Sequence, residues 1–305
     1  MRMSLWGWLL LAVMGLSMFT ASAARAEDWR KQFSEINIGV ITEENQSDML
    51  NRWQPVADYL GKTLGVKVTI RPATSYAGVI EAMKAKKIQM AWFGPASYAE
   101  AWIVTGGKLD PLVTATDNEG NVGYHSVLVV LKDSPYKSIE DLKGKKLALA
   151  DPNSTSGCQA PTYFLREKGI DINKFFASAT FSGSHENSVI GLINGTYDAA
   201  VTWWNSETYS NFARMASKGM IPKDAVRIIW KSPLLPNEPW TMPTWLPEQM
   251  RGDMKQALLA MPDKAHEVFD KLFTGSALKL VPVTTKDYEP IVKMVQDNQK
   301  HRKES

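Results

Sequence analysis

With 305 residues, 44% hydrophobic and 22% charged, and with 16 prolines, 20 glycines and one cysteine, the chain is neither collagenous, low-complexity, disulfide-stapled nor a zinc-ribbon array. Its formal net charge of +3 is too small to point to nucleic acid as a partner. The length suits one or two domains that bury a core without metals, and the 11 tryptophans suit a ligand pocket, since indole packs flat and still donates a hydrogen bond.

Arg2, the apolar run Leu5 to Phe19 and the sequence Ala24-Arg25-Ala26 read as an export signal over residues 1–26, cleaved after Ala26. The run is shorter than the ~20 residues of a bilayer span, and no cysteine follows it to carry a lipid. Removing Arg2 and Arg25 leaves 33 basic against 32 acidic side chains. The expected address is a bacterial periplasm, where Cys158 has no internal partner.

Strand and helix patterns then alternate. Ile36 to Ile41 alternates as a strand, Pro55 to Leu64 reads as a helix opened by proline and stopped by Gly65, and Val66 to Ile70 is a second strand. Tyr76 to Ala85 is a short helix, Ile88 to Trp92 a third strand, and Pro95 opens another helix. Ser126 to Leu131 is an apolar strand, Ser138 caps a one-turn helix, and Leu147 to Ala150 is a strand. A helix follows from Gln159 to Lys168, then a strand from Ala179 to Phe181, a helix from Ser188 to Asn194 and a strand from Ala199 to Trp203. Val226 to Trp230 is the last clear strand; Pro233, Pro236, Pro239, Pro243 and Pro247 mark an extended connector, and Glu248 to Asp297 is helical in pattern. This βαβ rhythm predicts an α/β protein, either one doubly wound domain or two lobes. The two-lobe division places 27–124 with 240–305 in one lobe and 125–239 in the other.

Ligands of such sheets bind beyond the carboxyl ends of strands. One of those ends reads Asp151-Pro152-Asn153-Ser154-Thr155-Ser156-Gly157, three hydroxyls and a glycine leading into a helix. Unpaired N–H groups at a helix start attract oxyanions, and the hydroxyls add neutral donors. A plain N-cap needs only one of them. His185, in Gly183-Ser184-His185-Glu186-Asn187, is a second donor or a structural histidine; Tyr76 and Tyr124 either aim phenols at an anion or pack.

Catalytic and cofactor motifs are missing: no nucleophile elbow, phosphate loop, dinucleotide fingerprint or His-Glu-x-x-His. Four histidines and one cysteine give no metal-ligand spacing, so neither metal nor cofactor is expected. The enzymatic alternative is a hydrolase using Ser154 or Ser156 with His185.

Five stretches in order, Tyr76-Ala77-Gly78-Val79-Ile80, Met90-Ala91-Trp92-Phe93-Gly94-Pro95, Asp151 to Gly157, His185-Glu186-Asn187 and Trp230 to Pro236, resemble the phosphonate-binding periplasmic proteins of ABC importers (PhnD type). The resemblance covers residues from about 36 to 240. It implies a two-lobed type II binding fold with a hinged cleft, no catalysis, and a monomer that delivers a small phosphonate to a permease in the inner membrane. By position it implies that Tyr76, Tyr124, Ser154, Thr155, Ser156 and His185 hold the phosphonate oxygens.

In relatives that bind 2-aminoethylphosphonate, two carboxylates hold the ammonium. One corresponds to Glu238; the other falls at Asn205, a departure, with Glu207 two residues on. Trp203, Trp204, Trp240 and Phe93 are candidates to face an amine or substituent, because aromatic faces hold cationic heads. One acid among tryptophans suits an aminoalkylphosphonate, N-methylated or not; it equally suits a site filled down to phosphite or methylphosphonate.

Overall fold

The computed structural model describes residues 28–41 and 43–304, so the export signal expected over 1–26 lies outside the described residues. In chain order the elements begin with β1 (Glu35–Val40), α1 (Gln46–Leu64), β2 (Lys67–Pro72), α2 (Tyr76–Lys84), β3 (Met90–Trp92), α3 (Pro95–Val104) and β4 (Leu109–Asp117). A second series follows: β5 (His125–Leu131), β6 (Lys146–Leu149), a π-helical turn (Thr155–Gln159), α4 (Ala160–Arg166), α5 (Ile172–Phe175), β7 (Ser178–Phe181), α6 (His185–Ile193), β8 (Ala199–Trp204), α7 (Asn211–Ser217) and β9 (Val226–Lys231). The chain ends with β10 (Trp240–Pro243), α8 (Glu248–Lys264), α9 (His266–Phe273), β11 (Ala277–Pro282) and α10 (Thr285–Glu304).

The strands form two sheets, β11-β4-β10-β3-β1-β2 and β7-β6-β8-β5-β9, so the arrangement is two α/β lobes rather than one doubly wound domain. In the first sheet β1 runs parallel to β2 and β3, while β10 and β11 join antiparallel. In the second, β6 is parallel to β7 and β8, and β5 is antiparallel to β8 and β9. Strand β5 is buried from Ser126 to Val130, as its continuous apolar run requires of a strand covered on both faces.

Where the sequence reading and the structure differ, the causes are local. Helix α1 begins at Gln46, with Asn45 accepting from the Asp48 N–H at 3.0 Å, so Pro55 is interior and does not start the helix. The helix still buries Trp53, Val56, Leu60 and Leu64 along one face. Strands β4, β10 and β11 are additional to the expected set. The first contains Pro111, and β10 lies inside the proline-rich connector, which is therefore a central strand of the first sheet over Trp240–Pro243. Helix α6 starts at His185 rather than Ser188, because Ser184 caps it by accepting from the Asn187 N–H at 3.1 Å. At the expected one-turn helix the acidic residue three positions after Ser138 makes its half of the capping box: the Asp141 carboxylate accepts from the Ser138 N–H, and from that of Lys137.

Helix α10 ties the lobes together. Tyr288 packs on Tyr98 of the first lobe with ring centres 5.0 Å apart and donates at 2.9 Å to the carbonyl of Asn237, in the segment where the chain crosses back from the second. Toward the second, Asn298 donates to the Gln159 carbonyl at 2.9 Å, and Arg166 pairs with Asp297. Among the described residues no helix is long and apolar enough to cross a membrane.

Candidate ligand-binding site

Four helix starts converge between the sheets. Strand β6 ends in a turn where Asp151 accepts from the Asn153 N–H at 2.8 Å and the Ser154 N–H bonds the Asp151 carbonyl at 3.0 Å. Ser154 then caps the π turn, its Oγ accepting from the Gly157 N–H at 3.0 Å. Gly157 is required by space: a Cβ there would lie 2.5 Å from Ala150 Cβ, 2.8 Å from Ser154 Oγ and 2.9 Å from His185 Cε1. From the first lobe, the Ala96 N–H at the start of α3 donates to Thr155 Oγ1 at 2.8 Å. Tyr76, first residue of α2, hydrogen-bonds Ser154, and His185, first residue of α6, brings Nε2 within 3.0 Å of Ser154 Oγ.

The six candidate oxyanion residues are therefore brought together, and all are buried. The Tyr124 hydroxyl hydrogen-bonds Thr155 and Ser156, and its backbone bridges to Leu235. Burial raises the phenols of Tyr76 and Tyr124 well above the ordinary tyrosine range, so both remain donors. Burial, reinforced by the Arg214 charge, pushes His185 down to about 3, which leaves a neutral imidazole. Thr202, which the sequence reading did not single out, faces the other ring nitrogen at 3.2 Å. Converging helix starts give this region a positive potential, and the neutral side chains can act as directed donors.

Beside this cluster lies a small cavity with about 30 Å³ of free volume, room for one or two waters. Trp203, Asn205 and Glu238 line it, together with Glu43, Trp92 and Tyr209. Of the remaining aromatic candidates, none lines it. Trp240 is fully buried against Trp53, with ring centres 5.1 Å apart, because β10 turns it into the first lobe's core. Phe93 is likewise in that core. Trp204 faces the opposite side of β8, under the Lys231 ammonium at 3.7 Å. Glu207 is exposed and lines a different surface pocket, so it does not replace Asn205.

Ionisable groups crowd the cavity's far side. Burial, and then the neighbouring Glu43, push the Glu238 carboxyl up to about 8. Burial also raises Glu43, despite Arg214 Nη1 at 3.6 Å and Arg52. Glu44 would rise with burial too, but Arg52, Arg214 and Lys218 hold it at about 2. Lys218, the C-cap of α7, spans the lobes, reaching Glu44 at 2.8 Å and Asp48 at 2.7 Å in the first and Glu186 at 3.3 Å in the second. Cys158 is a buried thiol raised to about 12 by burial, too high for a nucleophile.

Residues 38–288 match the family described as ABC transporter, phosphonate, periplasmic substrate-binding protein. The chain belongs to this family. It is 35% identical over 231 residues to the phosphonates-binding periplasmic protein of Escherichia coli (strain K12), a match covering 73% of this chain and 65% of that one. It is 34% identical over 209 residues to the phosphate-import protein PhnD of Mycolicibacterium smegmatis, covering 66% of this chain and 63% of that one. The matches span less than two thirds of either relative. Among solved structures, the binding-protein component of an ABC phosphonate transporter from Pseudomonas aeruginosa superposes with a TM-score of 0.77 at 26% identity, over 87% of this chain and 86% of that one. The two-sheet fold is that of type II periplasmic binding proteins. The family consists of transporter binding components, not enzymes.

Proposed function

We propose that this chain, exported and cleaved after Ala26, works as a periplasmic monomer that captures a phosphonate carrying an amine. It then delivers the ligand to an ABC permease in the inner membrane. The ligand's oxyanion sits among Tyr76, Tyr124, Ser154, Thr155, Ser156 and His185, and the lobes, divided at 124/125 and 239/240, close over it. The observation that carries this reading is the pairing of a neutral donor cluster with Glu238. That carboxyl is half-buried beside the cluster and faces Tyr124, and no ion pair compensates it among the described residues. A ligand that is anionic at one end and cationic at the other complements both features.

The small cavity favours a second reading, in which the ligand is phosphite, methylphosphonate or phosphate and carries no amine. Calorimetry with phosphite, phosphate, methylphosphonate, 2-aminoethylphosphonate and its N-methylated forms separates the two. Amine-bearing ligands bind most tightly under the first; a smaller, amine-free anion binding more tightly than all of them establishes the second.

A further inference from the structure

Resting on the amine-bearing reading, we propose that Glu43 is the second carboxylate that grips the ligand's ammonium, in the role vacated at Asn205. Glu43 follows β1, far in sequence from Glu238, yet both line the same cavity. Its carboxylate is buried, and its one ion pair among the described residues is the 3.6 Å contact to Arg214 Nη1, long for a charge-assisted hydrogen bond. Arg214 cannot fill the cavity itself, because its guanidinium lies 5.0 Å over the Trp203 ring and Trp203 forms the wall.

Other polar atoms of the wall also lack partners. Trp203 Nε1 and Asn237 Oδ1 are buried and unbonded, although each residue is only 6% exposed. The cavity is therefore built around a polar group, with acceptors from Glu43, Glu238 and Asn237 and aromatic walls from Trp92, Trp203 and Tyr209. Both carboxyls are raised by burial despite Arg52 and Arg214, so an ammonium between them would stabilise their ionised forms. An ammonium that keeps its N–H bonds can donate to both acids at once, whereas a trimethylated head, which has none, cannot. The ligand class is thus narrowed to a primary or singly methylated aminoalkylphosphonate. Glu43 also makes recognition depend on closure, since it belongs to the first lobe and Arg214 to the second.

The test is calorimetry with 2-aminoethylphosphonate and with ethylphosphonate, which has the same carbon skeleton and no amine. In the Glu43→Gln variant, 2-aminoethylphosphonate should lose about ten- to a hundredfold in affinity, while ethylphosphonate binds as well as before or better. An equal loss for both ligands would make Glu43 merely structural and overturn the proposal. If Glu238→Gln is harmful to the amine ligand and Glu43→Gln is harmless, the amine reading stands and this assignment alone is lost. If the wild type prefers ethylphosphonate, the amine reading itself is wrong and the assignment goes with it. Should Glu43→Gln not fold, Glu43→Asp keeps the charge but shortens its reach. It must then cost the amine ligand more than ethylphosphonate, and an equal cost overturns the proposal.

Discussion

Ser154 Oγ stands 3.0 Å from His185 Nε2, but behind that imidazole is the hydroxyl of Thr202, 3.2 Å from Nδ1, and among the described residues no carboxylate bonds it. A hydrolytic serine needs a histidine whose cationic form is stabilised as it takes the proton. Here burial and Arg214 hold His185 at about 3, and the Ser154 oxygen already accepts the Gly157 N–H. The same pair suits a donor array that must hold an anion without reacting with it.

Removing single donors should weaken every phosphonate alike. Thr155→Ala and Tyr76→Phe are each expected to cost roughly 1–3 kcal/mol of binding, read by calorimetry with methylphosphonate. Thr155 should be the more costly, because its Oγ1 also takes the Ala96 N–H across the lobes. Unchanged affinity in both variants would move the anion site elsewhere.

His185 also sets an acid limit on stability. Its folded-state value lies below the ordinary histidine value, so its contribution is complete above about pH 6.5 and is lost as pH falls toward 3. Over that window it should contribute a slope of up to about 1.4 kcal/mol per pH unit. Thermal melts of the ligand-free protein should show a shallower acid slope in His185→Asn than in the wild type.

Glu238 runs the other way. A carboxyl raised to about 8 favours the folded protein at low pH and loses that contribution as pH rises through about 8. An ammonium ligand needs it ionised. The ratio of 2-aminoethylphosphonate to ethylphosphonate affinity should therefore climb with pH up to about 8 and then level. The groups facing Glu238 are Glu43, Arg52, Arg214 and the phenols of Tyr124, Tyr209 and Tyr288. None of these phenols ionises in that range, and in Glu238→Gln the ratio should stay low and nearly flat.

Gly157→Ala tests close packing at the site. The added methyl meets Ala150, Ser154 and His185 at under 3.0 Å, so the π turn or α6 must shift. Overpacking of this kind costs about 1–3 kcal/mol of stability. Phosphonate affinity should fall by a larger factor than in Thr155→Ala, because several donors move at once.

Lys218→Ala should act on closure rather than on recognition. Its ammonium is partly in water, so losing its two inter-lobe partners, Glu44 and Asp48, together with Glu186 is expected to cost about 1 kcal/mol. The loss should be the same factor for every ligand and should appear in the dissociation rate, measured by stopped-flow tryptophan fluorescence.

Much of this was legible in the sequence. Alternating and continuous apolar runs located β1, β3, β5 and β8, and the Ser154-Thr155-Ser156-Gly157 stretch after a strand located the donors. Long-range pairing was not legible: β10 is bounded by prolines and gains its place only by bonding β3 and β4. Trp240 looked like a cleft residue because it neighbours Glu238, but the β10 ladder turns it toward Trp53. Glu43 was not singled out in the sequence, and it is buried with the Arg52 and Arg214 charges beside it. Its place just after a strand's carboxyl end was the available signal.

If backbone dipoles and the buried neutral hydroxyls hold the anion as proposed, dissolved ions have little access to the groups that bind it. Screening acts on exposed charges within roughly 10 Å at 0.1 M salt and far less on buried ones. Capture should therefore proceed much the same in dilute and in saline surroundings. A cluster of surface lysines would hold phosphonate in fresh water and release it in brine; a buried site of the proposed kind would carry its own constant environment.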